Sequence, residues 1–277
     1  MSGVLYIVST PIGNLEDITY RAVRVLGQVS LVACEDTRQS RKLLDHYGIR
    51  ARLVSYHEHN EAVRAPEIVA RLLAGENVAL VSDAGTPLVS DPGYRIVTAA
   101  IAAGVRLEPV PGASAVLCAL AASGLASDAF LFAGFLPPKS AARRRTLQSL
   151  TACPATLVFY EAPHRILESL EDIASVLGPR PMVLARELTK VHEEFLRGTA
   201  AEIRAILERR ERIKGEITLL VGRGESQPLE GGDPAEQVAR LVAQGAPRME
   251  AIKNVARRLG LGKREVYRLA QRGPKPR

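Results

Sequence analysis

The sequence predicts an α/β fold with a largely parallel sheet, extended by a small helical module. Three observations carry this. Short β-rich runs alternate with helical patterns along most of the chain. The runs at 31–33 and 80–81 are apolar on successive residues, as strands buried on both faces require. A stretch rich in Gly, Pro and polar residues then separates this body from three short amphipathic segments. The 277 residues are 47% hydrophobic and 24% charged, which excludes disorder as the main state and fits one large or two modest domains. Aromatics are only 4% and Trp is absent, so Val, Ile, Leu and Ala must build the core.

The elements follow in order. Residues 4–9, 31–35, 78–83, 106–110 and 130–135 read as strands, with helical patterns over 19–26, 38–47, 62–73, 94–103 and 113–122 between them. The paired prolines of Leu136-Pro137-Pro138-Lys139 end this first segment. A second α/β segment has strands over 155–160, 181–185, 194–197 and 216–222 and helices over 166–176 and 200–210. The expected domains are therefore 1–136, 137–224, a linker over 225–233 and a basic helical module over 234–277. In that module Val238, Leu241 and Val242, then Ile252, Val255, Ala256 and Leu259, then Val266, Leu269 and Ala270 fall at helix spacing, a helix-turn-helix-like arrangement.

Charge and spacing narrow the function. Between 233 and 277 the chain holds 11 Lys or Arg against 4 Asp or Glu, a balance of +7 that equals the net charge of the whole chain. A neutral body with a basic appendage points to a polyanionic partner, most simply nucleic acid. No run reaches the ~18 apolar residues of a membrane span, and no basic leader with a cleavage site precedes Val4, so no membrane and a cytoplasmic location are expected. Cys34, Cys118 and Cys153 lie far apart without ligand spacing and read as free thiols, and the five histidines form no metal motif, so no metal is expected. Neither a P-loop nor a G-x-G-x-x-G follows a strand, which argues against a nucleotide triphosphatase and an ordinary dinucleotide fold.

Instead, three Gly/Pro turns follow strands: Thr10-Pro-Ile-Gly-Asn, Ser82-Asp-Ala-Gly-Thr-Pro-Leu-Val-Ser-Asp-Pro-Gly-Tyr and Val110-Pro-Gly-Ala-Ser-Ala. In an open α/β sheet the ligand crevice lies outside those strand ends. Acidic and basic side chains also cluster just past strands, in Glu35-Asp36-Thr37-Arg38 and Glu161-Ala162-Pro163-His164-Arg165. Glu35, Asp36 and Glu161 are candidates for a general base, with no choice among them, and Arg38 and Arg165 for phosphate contacts. Arg143, Arg144 and Arg145, on a predicted helix, suit nucleic-acid phosphates, although three consecutive residues cannot share one helical face. Lys253, Arg257, Arg258, Lys263, Arg264 and Arg268 stand away from the apolar positions of the module and suit sequence-independent nucleic-acid contact. Tyr267 is its one aromatic residue, so base stacking is expected to be minor.

Five strings, Tyr6-Ile-Val-Ser-Thr-Pro-Ile-Gly-Asn-Leu-Glu-Asp, Ala33-Cys-Glu-Asp-Thr-Arg, Ser82 through Gly93, Phe159-Tyr-Glu-Ala-Pro-His-Arg and Ala185-Arg-Glu-Leu-Thr-Lys, resemble the tetrapyrrole-methylase-like (class III) family of S-adenosylmethionine enzymes. The resemblance lies with the branch that methylates small-subunit ribosomal RNA, and it extends through the basic tail. It implies a two-domain tetrapyrrole-methylase-like fold, S-adenosylmethionine as cofactor, a homodimer, and 2′-O-methylation of a cytidine in the decoding region of the RNA or of the assembled small ribosomal subunit. It also implies a cofactor cleft formed by Pro11, by Asp83, Gly85, Thr86 and Pro87, and by Gly112, Ser114 and Ala115. The opposite wall would come from Phe159, Tyr160, Ala185 and Thr218. A methylase acting on a tetrapyrrole, and a non-catalytic RNA-binding protein, remain as competing readings. The +7 tail weighs against the first, and cofactor binding would weigh against the second.

Overall fold

A computed structural model describes residues 2–224, 233–243, 245–259 and 261–272. The chain falls into two compact units, one of 1–151 with 155–222 and one of 152–154 with 223–277. The larger unit holds two five-stranded sheets.

The first sheet is parallel throughout, in the order β3 (Leu53–Ser55), β2 (Leu31–Cys34), β4 (Val78–Leu80), β1 (Val4–Val8), β5 (Arg106–Val110). The successive apolar residues of β2 and β4 are all buried because helices cover both faces. On one face α3 (Glu61–Leu73) and α4 (Tyr94–Ala102) bring Ile68, Leu72, Ile96 and Ala100 against Leu5, Val78 and Leu80. On the other, α1 (Tyr20–Gln28) and α2 (Thr37–His46) bring Ala22, Val25, Leu26 and Leu44 against Val8, Val32 and Ala79. Each strand therefore leads into a helix at the same edge of the sheet, which gathers the three Gly/Pro turns there.

α5 (Ala115–Ser123) starts at Ser114, whose side chain accepts the Leu117 N–H, and ends at Gly124 in the left-handed region, φ 77°. Its buried face does not return to the first sheet. Val116, Ala119 and Leu120 pack with Ile12 against Val158, Val183, Ala185 and Leu220 of the second sheet. That sheet runs in the order β6 (Phe130–Phe135), β7 (Thr156–Glu161), β10 (Ile217–Val221), β8 (Met182–Arg186), β9 (Glu194–Gly198). Only β6 and β7 are parallel; the other pairs are antiparallel. Residues 130–135, expected to complete the first segment, thus form the edge of the second sheet. The run has strand character, but local pattern says nothing about which sheet receives it. α6 (Ser140–Ser149), α7 (Ile166–Leu177) and α8 (Ala200–Glu208) belong to this half, α8 opening with a reciprocal Thr199–Glu202 capping box.

In the smaller unit α9 (Pro234–Ala243), α10 (Arg248–Leu259) and α11 (Lys263–Arg272) enclose their own core of Val238, Ala251, Ile252, Val255, Ala256 and Val266. The linker expected over 225–233 lies, up to residue 232, outside the described residues. All three cysteines are free, Cys34 buried and Cys118 and Cys153 part-exposed. No helix among the described residues is long and apolar enough to cross a membrane.

Candidate active-site cavity

The Gly/Pro turns are tied together before they face any ligand. Thr10 and Gly85 exchange backbone hydrogen bonds, Thr10 N–H to Gly85 O at 2.8 Å and Gly85 N–H to Thr10 O at 3.1 Å. Ser9 and Thr86 hydroxyls bond at 2.9 Å, and the Thr10 hydroxyl donates to Ser82 O at 3.1 Å. The third turn closes on the first so tightly that a Cβ at Gly112 would stand 2.9 Å from Ser9 Cβ, which requires glycine there. Gly85 has φ 82°, so it makes a turn that an L side chain would strain. Its N–H is already spent on Thr10, so Gly85 shapes the site through its conformation and not as a free donor.

Between these turns and the second sheet lies a cavity of ≈ 400 Å³. That volume lies within the range of about 300–1,000 Å³ common for small-molecule sites. Asp83, Gly85, Thr86, Ser114, Ala115, Tyr160, Glu161 and Thr218, all expected from the sequence, line it, joined by Ile12, Asp91, Phe135 and Glu216. Five of the expected residues stand behind the lining. Pro11, Pro87 and Gly112 form the backbone of the turns, while Phe159 and Ala185 are fully buried in the second half. Alternation along β7 turns Phe159 away from the face that Tyr160 presents, whereas Glu161 stands at the last position of the strand, where it borders the cavity. Tyr160 packs edge-on to Phe132 and Phe135, with centroids 4.9 and 5.6 Å away. Burial, with Asp91 and Glu216 nearby, pushes its phenol up to about 12.

The segment from Thr86 to Gly93 is bent sharply. Leu88 and Ser90 have φ of 73° and 65°, uncommon for residues with a Cβ and a form of strain that gathers at functional sites. The bend delivers Asp91 to the cavity. Burial, and then the charge of Glu35, raise the Asp91 carboxyl to about 6, against the lowering effect of a Ser82 hydrogen bond. Glu35 is itself raised, by burial and then by Asp83. These carboxyls form one electronegative group, and Asp91 was not singled out by the sequence because Asp91-Pro92-Gly93 reads as a plain turn.

The other base candidates are engaged. Glu161 is buried and accepts from Arg165 Nη2 at 2.6 Å, from the Ser169 hydroxyl at 2.6 Å and from the Ala162 N–H at 2.8 Å. Asp36 is paired with Arg38, whose hydrogen bonds hold its carboxyl down at about 2. Arg38 and Arg165 are accordingly the partners of these acids. Of the arginine triplet, Arg143 departs most from expectation: it is 1% exposed and its Nε donates to Asp172 at 2.7 Å. A guanidinium locked onto a buried carboxylate cannot reach RNA phosphates, which corrects that assignment. Arg144 donates to Asp172 and to the Ser175 hydroxyl, and Arg145 is exposed. In the smaller unit Lys253, Lys263, Arg264 and Arg268 gather around one groove, while the side chains of Arg257 and Arg258 lie outside the described residues.

The family model of the tetrapyrrole (corrin/porphyrin) methylases matches residues 4–204 of the sequence. The chain belongs to the tetrapyrrole methylase family. Among relatives of this tetrapyrrole methylase, one from Mesorhizobium japonicum is 50% identical over 265 residues, covering 95% of this chain and 90% of its own. Another, from Halalkalibacterium halodurans, is 47% identical over 274 residues, covering 96% and 94%. Both are named ribosomal RNA small subunit methyltransferase I. Among solved structures, uroporphyrin-III-C-methyltransferase from Thermus thermophilus superposes with a TM-score of 0.58 at 23% identity, covering 80% of this chain and 94% of its own. That likeness establishes the shared fold.

Proposed function

We propose that this tetrapyrrole methylase uses S-adenosylmethionine to methylate small-subunit ribosomal RNA at the ribose 2′-hydroxyl of a cytidine in the decoding region. The observation that carries the reading is the cavity at the strand ends, with one apolar wall and one group of carboxyls without a basic partner among the described ion pairs, in a chain about half identical to proteins named as small-subunit ribosomal RNA methyltransferases. The acceptor atom rests on the resemblance of the five motif strings.

The residues present fit the cofactor. A sulfonium cation suits a pocket whose Asp83 and Asp91 lack a basic partner among the described ion pairs. Ser114 and Ala115 open α5, and a helix N-terminus favours a carboxylate such as that of the amino-acid end. Ser114 Oγ accepts from Leu117, which leaves its own O–H free to donate. Phe135, Tyr160 and Ile12 supply the apolar contact an adenine ring needs. When bound, S-adenosylmethionine supplies an electrophilic methyl group.

The protein's remaining task is to place the acceptor hydroxyl and relieve it of its proton. A hydroxyl is a weak nucleophile until that proton is shared, and a base serves best when its pKa lies near the working pH. Asp91 meets both demands: it lines the cavity and titrates near 6. Its carboxylate takes the proton, with burial first and Glu35 second keeping it basic. Glu161 and Arg165 hold the wall rigid, since their charges are spent on each other.

Nucleoside mass spectrometry of ribosomal RNA from cells with and without this protein tests the reading. One 2′-O-methylcytidine should vanish from the small-subunit RNA; an unchanged nucleoside profile would overturn the proposal.

A further inference from the structure

The groove between α10 and α11 combines two features that a merely solvated basic face would not. Its walls are apolar: Met249 is 56% exposed and Tyr267 42% exposed, large side chains left uncovered on a module of three short helices. Its floor is Ile252, 1% exposed. Around it stand Lys253 on α10 and Lys263, Arg264 and Arg268 on α11, and no acidic residue among the described ones lines it. The geometry follows from spacing. Met249 and Lys253 are i, i+4 on one helix, as are Lys263 and Tyr267 on the next, so each helix offers an apolar group beside a cation. The open groove offers ≈ 370 Å³.

We propose that this groove is a nucleotide pocket, taking a single unpaired base of the RNA against Met249, Ile252 and Tyr267 while the four cations hold the flanking phosphates. The proposal rests on the reading that the chain acts on RNA. Charge complementarity selects the occupant. Four cations without an acid call for a polyanion, and the apolar walls between them call for one that carries flat, unpaired rings along its backbone. Paired RNA keeps its bases stacked inside and offers the groove only phosphates. The expectation from sequence that stacking is minor changes accordingly: one tyrosine suffices when a groove presents it beside an exposed methionine.

The test uses the full chain and two RNAs of equal length, a hairpin with an unpaired loop and a perfect duplex, in fluorescence anisotropy across a salt series. The parent should bind the looped RNA more tightly than the duplex. Tyr267→Ala should weaken looped-RNA binding about 10-fold, in keeping with the loss of one base–aromatic stack, and leave duplex binding and the salt slope unchanged. Tyr267→Phe, which keeps the ring, should retain the preference, and Met249→Ser should reduce it. Vesicles of phosphatidylserine and phosphatidylcholine form a control arm. If Tyr267→Ala leaves the loop preference intact, or lowers vesicle binding instead, the pocket is refuted. These outcomes are separate from the nucleoside profile. An unchanged profile with an intact loop preference would sink the enzymatic reading alone, while a changed profile with an indifferent Tyr267→Ala would sink the pocket alone.

Discussion

Arg143 in α6 and Lys263 with Arg264 in α11 are the same kind of residue in a sequence and opposite objects in the structure. The first is buried against Asp172 at 2.7 Å, with Glu168 at 3.5 Å, its charge cancelled within the fold. The others ring a groove whose described lining holds no acid. The acids divide in the same way. Asp36 and Glu161 are matched by Arg38 and Arg165, and Lys190 bonds both Glu187 and Glu216. Asp91 has only other carboxyls and a serine hydroxyl among the groups that shift it. Ligands of opposite sign are thus expected where compensation is missing: a cation in the cavity, a polyanion on the module.

The largest effect expected concerns Asp91. Asp91→Asn should lower kcat by about 10²–10⁴-fold, the usual contribution of a positioned base, in a methyl-transfer assay on small-subunit RNA. In the parent, kcat should climb as pH rises through about 6 and then level, because only the ionised carboxyl accepts a proton. Stability should run the other way. A folded-state pKa above the ordinary carboxylate value means the native state holds the proton more tightly, so stability is lost as pH rises towards about 6. The Asn variant should therefore melt at a higher temperature than the parent at pH 7. A lower melting temperature would show that Asp91 is compensated after all.

Next in size is Arg143→Met. Removing one partner of a buried pair leaves Asp172 short of compensation and should cost about 3–5 kcal/mol in urea unfolding. RNA affinity per folded molecule should not move. A loss of affinity at unchanged stability would place Arg143 back on the RNA-facing surface. The smallest effect is expected for Lys263→Ala with Arg264→Ala: unchanged cofactor affinity by calorimetry, weaker RNA binding, and a salt slope shallower by about 1–2. Arg145→Ala is the companion measurement: Arg145 is exposed and its Nε donates to Ala141 O of its own helix at 3.4 Å, so its charge is left for phosphate and a small loss of RNA affinity is expected.

Much of the fold was legible because burial leaves a periodic trace. β2 and β4 showed themselves through unbroken apolar runs, and α7 through Ile166, Leu170 and Ile173. β3, three half-buried residues at a sheet edge, left too short a trace and was not foreseen. The turns that make the cavity were legible through their Gly and Pro residues. The exact lining was not, because facing depends on register: Tyr160 and Thr218 are register partners that reach the cavity, whereas Ala185, also opposite Thr218, is closed off by α5 and Ile12. Asp91 and Arg143 stayed hidden for a common reason, since pairing and desolvation arise from residues distant in sequence.

α5 has one further consequence. It leaves the third turn of the first sheet, yet Val116, Ala119 and Leu120 are interleaved with Ile12 and the second sheet's Val158, Val183 and Leu220. The two halves of the body are spliced through a shared apolar seam, so a cut at Pro137-Pro138 would leave them joined. They should melt as one cooperative block rather than as two successive transitions.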